Sequence, residues 1–141
     1  MDEAVTAAEK RAVGTAAYFY VDTLDYLRRG GRIGAAQALL GSALAMKPLL
    51  QLTDGRIEPL EKVRTASKAI ARLEEIAAER AGAADVDIAV HHLAAPERAS
   101  ALADRLKARV TGLTELHVSE VGAVIGAHTG PGLLGVVVSA R

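Results

Sequence analysis

A glycine pair followed by an arginine, Gly30-Gly31-Arg32, is the first segment whose residue types could bind a ligand. Glycines let a ligand approach the backbone closely, and the planar guanidinium of arginine offers paired donors to a carboxylate or a phosphate. The same spacing is also typical of a helix C-cap followed by a surface arginine, and the spacing alone favours that interpretation. Arg32 is therefore a candidate anion-binding residue.

The segment His128-Thr129-Gly130-Pro131-Gly132 is a second candidate. Pro131-Gly132 suits the central positions of a type II turn, which could present His128 and Thr129 as hydrogen-bonding groups beside a site. The alternative is a turn that leads into a strand and carries an incidental histidine. Gly130–Gly135 also has the glycine spacing of a dinucleotide fingerprint, but β-prone valines follow where that fingerprint needs a helix.

The segment Lys62-Val63-Arg64-Thr65 places two cations at the end of a predicted strand. Such a pair could form a docking patch for an acidic partner. A solvated rim of the protein is the alternative, and the pattern alone favours it.

Composition excludes several other classes of function. Lysine plus arginine and aspartate plus glutamate both number 17, and this balance argues against a nucleic-acid binder, which needs a basic surplus. The chain has no cysteine, hence no thiolate nucleophile and no cysteine-based metal site. The neighbours His91 and His92 point to opposite faces of a predicted strand, so they cannot share a metal. We predict no metal and no cofactor.

The elements that must position these segments follow from hydrophobic periodicity and from turn residues. One apolar stripe predicts a helix after the N-cap Thr65, and strict alternation predicts a strand over Val86–His92. Asp54-Gly55 predicts a tight hairpin. We predict further helices over residues 3–13, 24–29, 35–45 and from Pro96, and further strands over residues 18–21, 48–53, 56–63, 113–118 and 133–138. This order predicts a single α/β domain, residues 1–141, with helices packed on a mixed β-sheet.

The longest apolar stretch, Gly34 to Met46, is too short to cross a bilayer. The first residues are charged and lack the apolar core of a signal peptide. The absence of cysteine fits a cytoplasmic protein. The mean hydropathy of +0.19 is high, so we expect one face to be covered by something else.

Four motifs occur together in a familiar order. They are Val21-Asp22-Thr23-Leu24-Asp25-Tyr26-Leu27-Arg28-Arg29-Gly30-Gly31-Arg32-Ile33, Lys47-Pro48-Leu49-Leu50 with Asp54-Gly55, Lys62-Val63-Arg64, and Val124 to Gly132. From about residue 18 to the last strand, the chain resembles the C-terminal half of the DegV family, the bacterial fatty-acid-binding proteins. The resemblance implies a binding protein and not an enzyme. It also implies two α/β domains with a fatty acid in a tunnel at their junction, of which this sequence carries only the second.

The family resemblance also implies roles for particular residues. Arg32 and His128 would belong to the polar network around the ligand carboxylate, with Thr129 beside it. The apolar helix would line part of the acyl tunnel through Leu39, Leu40 and Leu44, although an ordinary core helix explains the same pattern. Arg64 would lie on the surface that meets a separate fatty acid kinase, which makes acyl phosphate for phospholipid synthesis. Transient membrane contact would accompany this role.

Two alternatives from other classes stay open. Arg32 and His128 could serve an enzyme that acts on a phosphorylated small molecule, although no nucleotide motif or nucleophile supports this. The chain could also be an interaction domain that dimerises through a face left uncovered by the missing domain.

Overall fold

The chain folds around one mixed β-sheet with helices on it. The structure, a computed structural model, describes residues 1–40 and 46–141. The strands are β1 Thr15–Tyr20, β2 Lys47–Thr53, β3 Arg56–Val63, β4 Val86–His92, β5 Leu113–Glu120 and β6 Leu134–Ala140. The helices are α1 Asp2–Val13, α2 Asp25–Arg29, α3 Ala66–Ala81, α4 Pro96–Arg109 and α5 Ala123–Thr129, and a 3₁₀ helix spans Gly34–Leu39.

The six strands of the described sheet are ordered β3-β2-β1-β6-β4-β5. Strands β4 and β5 run parallel, whereas β1 with β2, β1 with β6, β2 with β3 and β4 with β6 pair antiparallel. The parallel pair needs a crossover, and α4 supplies it. The predicted fold class, an α/β domain with a mixed sheet, is confirmed.

Local signals account for several of these elements. The backbone at Asp54 and Gly55 has positive φ angles of 51° and 75°, as a tight two-residue hairpin turn requires. The Thr65 hydroxyl accepts a hydrogen bond from the amide of Lys68 at 3.2 Å and so caps α3. In β4, buried and half-buried residues alternate as predicted.

The two faces of the sheet have separate cores. Helices α3 and α4 cover one face, where the aliphatic stripe of α3 shares a core with β6 residues such as Leu134 and Val136. The opposite face carries a smaller core under α2 and the 3₁₀ helix. Its buried members are Phe19, Val21, Leu24, Leu27, Ile33, Ala36, Leu50 and Leu133. The second face is only partly covered, and the candidate site lies there.

The helix predicted over Ala35–Ala45 is wrong where the structure describes it. A short 3₁₀ helix occupies Gly34–Leu39, and Leu40 is already extended. A Cβ on Gly34 would come within 2.8 Å of the Ile57 carbonyl oxygen, so this segment lies directly against β3. Ala36 is buried there while Ala35 is exposed, so the apolar sequence reflects one docked side and not a helix buried all round.

Candidate functional site

An open cleft of about 860 Å³ lies on the partly covered face of the sheet. Its floor is formed by side chains of β1, β2 and β6, and α2 and α5 contribute to its walls. The apolar lining residues are Ala17, Phe19, Leu27, Ala35, Leu52, Ile57, Val121, Val124, Ile125, Leu133, Val136 and Val137. A cleft of this size and composition suits an apolar ligand of the size of a small organic molecule.

Arg32, His128 and Thr129 all line this cleft. They come from two segments that lie far apart in the sequence. Arg32 follows the end of α2, where Gly31 adopts a left-handed backbone with φ of 69° and the Arg32 amide donates to the Leu27 carbonyl at 2.8 Å. The fold therefore places the two predicted polar segments at one site. Their role in binding an anion stays a prediction.

His128 and Thr129 lie in the last turn of α5 and not in a loop, which corrects the sequence interpretation. The helix ends at Gly130, whose φ is 79°, and the turn through Pro131 and Gly132 then leads into β6. The short apolar run before His128 carried too few residues to separate a helix from a turn.

Two glycines fit the α2 and α5 segments together. A Cβ on Gly30 would lie 2.1 Å from His128 Nδ1, and a Cβ on Gly130 would lie 2.4 Å from two ring atoms of Tyr26. Gly30 itself has an ordinary helical backbone, with φ of −81°. Gly30 is therefore required for the space that it leaves to the His128 ring, whereas Gly31 serves the backbone turn.

The polar groups at the cleft differ in which of their hydrogen-bonding atoms already have partners. Arg32 is exposed, and its Nη1 donates to the Gly30 carbonyl at 3.2 Å, which leaves the rest of the guanidinium fork accessible. His128 Nδ1 is buried without a hydrogen-bond partner among the described residues. The Thr129 hydroxyl donates to the Ile125 carbonyl at 3.1 Å, so its proton is used inside α5. Thr129 can therefore accept a hydrogen bond at this site but, while it keeps this bond, cannot donate one to a carboxylate.

A second group of residues holds the turn after α5. Asp22 occupies the space where a Cβ on Gly132 would lie, 2.0 Å from its Oδ2. Buried Tyr20 donates its hydroxyl to Asp22 Oδ1 at 2.5 Å, and Arg98 Nη1 lies 3.6 Å from the same oxygen. Burial of Tyr20, followed by its bond to anionic Asp22, raises the pKa of the phenol well above its usual range, so the hydroxyl stays a donor. Sequence reasoning missed this group, although Asp22 belongs to the quoted motif.

A network of charges lies elsewhere on the same sheet face, at the ends of the described chain. Arg11 and Arg141 both pair with Asp87, and Arg11 Nε also donates to Ser139 Oγ at 2.7 Å. Partial burial of Asp87 acts to raise its pKa, but the hydrogen bonds from the two arginines outweigh burial and hold the pKa below its usual value. The network links α1 to the sheet, and no sequence motif predicted it.

Other predicted residues lie away from the cleft. Leu39 and Leu40 pack against the core under the 3₁₀ helix and are not among the cleft lining, and Leu44 lies outside the described residues. Arg64 is exposed just beyond β3.

The adjacent histidines His91 and His92 lie on opposite faces of the sheet. His91 lines the cleft, and its Nδ1 lies 2.9 Å from Ser119 Oγ. Its strand neighbour His92 is buried on the opposite face, as the alternation predicted.

In the part of the chain that the structure describes, no group of three or more histidine, aspartate or glutamate side chains is arranged to hold a metal ion. No helix there is both long enough and apolar enough to cross a membrane.

Comparison with known proteins identifies the family to which the chain belongs. The model of the DegV family, described as an uncharacterised protein family, matches residues 1–141. A DegV domain-containing protein of Streptomyces coelicolor is 88% identical over 141 residues, which are 100% of this chain and 50% of that protein. The chain spans about half the length of the curated relatives that it matches.

Solved structures agree with this comparison. A DegV family protein from Thermus thermophilus, described by its fatty acid binding, superposes with a TM-score of 0.90 at 35% identity, over 99% of this chain and 50% of that one. DegV from Bacillus subtilis, described as a fatty acid binding protein, superposes with a TM-score of 0.84 at 38% identity over the same shares.

Proposed function

The chain belongs to the DegV family, and from that premise we propose that its cleft binds the acyl chain of a long-chain fatty acid. The observation that carries the proposal is the cleft itself, where Arg32 and His128 lie beside a mostly aliphatic lining. Such a lining suits a methylene chain, and a cation with a second polar side chain suits its carboxylate. The proposed role is binding and not catalysis.

The acyl tail supplies most of the binding free energy. Burial contributes about 0.8 kcal/mol per methylene, so a tail of about 15 methylenes gains roughly 12 kcal/mol before the costs of association. The cleft reaches from Ile57 on β3 to His91 on β4, across four strand spacings of the sheet. At about 4.8 Å per spacing this distance is about 19 Å, close to an extended chain of 15 bonds.

The carboxylate is held by Arg32 and His128, while Thr129 lies beside them. A charge-assisted hydrogen bond from exposed Arg32 contributes about 1.5–3 kcal/mol at most, less than the tail does. These residues therefore orient the ligand, and an unpaired carboxylate in the cleft would be costly. The Arg32 fork can swing to the ligand because its hydrogen bond to the Gly30 carbonyl is short-range and exposed.

The rest of the tunnel is proposed to come from residues outside this chain, in an N-terminal domain. The cleft is open, and the α5 residues Val124 and Ile125 at its wall are 80% and 54% exposed. Apolar side chains this exposed beside an apolar cleft favour a cover. The share of the relatives' length that this chain spans leaves room for a domain of similar size.

The bound acid is proposed to be presented to a separate fatty acid kinase, for acyl-phosphate formation in phospholipid synthesis. Exposed Arg64 would contact an acidic surface of that kinase, since it lies outside the cleft and is free to meet a partner while the ligand is bound. Transient membrane contact would load or release the ligand.

The first experiment looks for the ligand. The protein is produced from its complete gene, extracted with organic solvent, and the extract is analysed by mass spectrometry for acyl chains. Delipidated protein is then titrated with palmitate and oleate. Copurified fatty acid or uptake is the expected result. A protein that carries no acyl chain and takes up neither acid would refute the proposal.

A matched pair of variants then tests the head group. Arg32→Ala should weaken palmitate binding about tenfold and leave Tm unchanged, because Arg32 is exposed. Arg29→Ala removes the same charge three residues away, at the end of α2 and outside the cleft lining, and should bind normally. Equal effects of both changes would show that general charge and not the site matters.

One further pair tests partner docking. Arg64→Ala should bind palmitate normally but slow acyl-phosphate formation with the kinase, whereas Arg32→Ala should weaken palmitate binding and slow acyl-phosphate formation as well. A normal rate of acyl-phosphate formation with the Arg64→Ala variant would show that Arg64 is not part of the docking surface.

Dimerisation is a second candidate function, favoured by the exposure of Val124 and Ile125. A second copy could cover them in place of a second domain. Light scattering of the complete protein tests this candidate, and a monomer at high concentration would reject it.

A further inference from the structure

Gly135 lies inside β6, immediately before the run Val136-Val137-Val138. A glycine within a strand weakens it, because the residue loses more backbone entropy on folding than any other and contributes no side chain to packing. Such a glycine is usually explained by an unusual backbone, by a close neighbour, or by a ligand that approaches the strand.

The first two explanations fail for Gly135. Its φ does not lie in the left-handed region that favours glycine. A Cβ built on it would have Phe19 Cβ at 3.6 Å, the Tyr18 carbonyl oxygen at 3.7 Å and His91 Cβ at 3.9 Å as nearest neighbours, all ordinary contacts. Gly30 differs, because there the His128 ring already fills the space of a side chain. The fold would therefore accept a Cβ, and hence an alanine, at position 135.

The place of Gly135 supplies the third explanation. Alternation along β6 puts Gly135 on the cleft face with Leu133 and Val137, and cross-strand pairing sets it between Phe19 on β1 and His91 on β4. The missing side chain leaves a slot in the cleft floor, one strand wide, between two ring-bearing residues. The hydrogen bond between His91 and Ser119 holds one wall of that slot in place.

We propose that Gly135 is a specificity-determining residue whose empty side-chain position lets an unbranched acyl chain cross the sheet between Phe19 and His91. This inference rests on the proposed function and adds the path of the tail, to which no motif pointed. A side chain at position 135 would fill the slot and exclude the methylene chain, while its Cβ would make only ordinary contacts with the protein.

The test compares Gly135→Ala and Gly135→Val in protein produced from its complete gene and delipidated. Calorimetric titration with palmitate should give a Kd raised about fivefold for the alanine variant and tenfold or more for the valine variant. The ligand-free alanine variant should melt at or above the wild-type temperature, because alanine restricts the unfolded chain. The control Ala89→Val adds bulk on the same sheet face outside the cleft lining, and its Kd should stay within about twofold of wild type.

The outcomes separate this inference from the proposed function. Wild-type protein that binds palmitate, together with a folded Gly135→Val variant that binds it equally well, would overturn the inference and leave fatty acid binding intact. Wild-type protein that binds no palmitate would overturn both. If the valine variant does not fold, Gly135→Ala decides, since all of its nearest contacts are ordinary, and unchanged palmitate affinity in that variant would overturn the inference.

Discussion

Replacement of Gly30 by alanine should displace the His128 ring from its present position. The new Cβ would lie 2.1 Å from His128 Nδ1 and 2.8 Å from Cε1, whereas ordinary contacts of a Cβ begin at 3.4 Å. The ring must therefore move by about 1.3 Å, the difference between 3.4 and 2.1 Å. The backbone conformation itself should not destabilise the alanine variant, because Gly30 has helical φ and ψ angles of −81° and −3°.

The expected loss of stability in the Gly30→Ala variant follows from overpacking. An extra methyl group in a filled site costs about 1–3 kcal/mol. In a domain of this size each kcal/mol lowers Tm by about 3 °C, so Gly30→Ala should lower Tm by about 3–9 °C. Under the proposal that His128 binds the carboxylate, palmitate binding should weaken as well.

A double-mutant cycle assigns the loss to the ring. In a His128→Ala background the two closest contacts of the new Cβ are gone and the Tyr26 carbonyl oxygen remains at 3.2 Å, so the same Gly30→Ala change should cost much less. The expected coupling between the two positions is about 1–3 kcal/mol, measured from Tm or urea unfolding. Gly31→Ala is the control. A Cβ on Gly31 would have no atom within 4 Å, so this change destabilises the protein only through the left-handed backbone, with φ of 69°. The loss of stability should therefore be the same in both backgrounds. An equal loss for Gly30→Ala in both backgrounds would refute the reasoning.

Three further predictions concern stability. Thr65→Ala should remove the N-cap bond from Lys68 and destabilise the protein by about 1 kcal/mol in urea unfolding, with palmitate binding unchanged. Tyr20→Phe should lower the free energy of unfolding by about 1–2 kcal/mol in the same measurement, because it removes the hydrogen bond to Asp22 and water replaces that donor only in part at the half-exposed carboxylate. An unchanged free energy of unfolding would mean that this hydrogen bond contributes no net stability. The depressed pKa of Asp87 means that its arginine pairs stabilise the fold above the unfolded pKa of about 3.9 and lose that contribution as pH falls through the lower folded value. Asp87→Asn should therefore flatten the acid limb of a pH–Tm curve, and an unchanged limb would contradict the assignment.

Elements governed by local signals could be predicted from the sequence. The cap at Thr65, the stripe of α3, the alternation of β4 and the turn at Asp54-Gly55 each depend on residues close together in the chain, and all appear in the structure. The helix expected over residues 35–45 is wrong in its described part, residues 35–40, because an apolar run has the same composition whether it forms a helix or docks on a sheet. The helical position of His128 could not be predicted, because α5 is only seven residues long and its apolar run is too short to show a helical period.

The sequence by itself determined the kinds of groups at the site, an arginine after two glycines and a histidine before a glycine-rich turn, and the family to which they belong. Only the tertiary structure decided that these groups meet over an aliphatic floor, that the Thr129 proton is used within its helix, and that Gly30 makes room for an imidazole ring. The physical reason is that local patterns depend on neighbours along the chain. A cleft depends on which strands pair and which side chain is missing between them, and the pairing of β1, β6 and β4 joins residues that are distant in sequence.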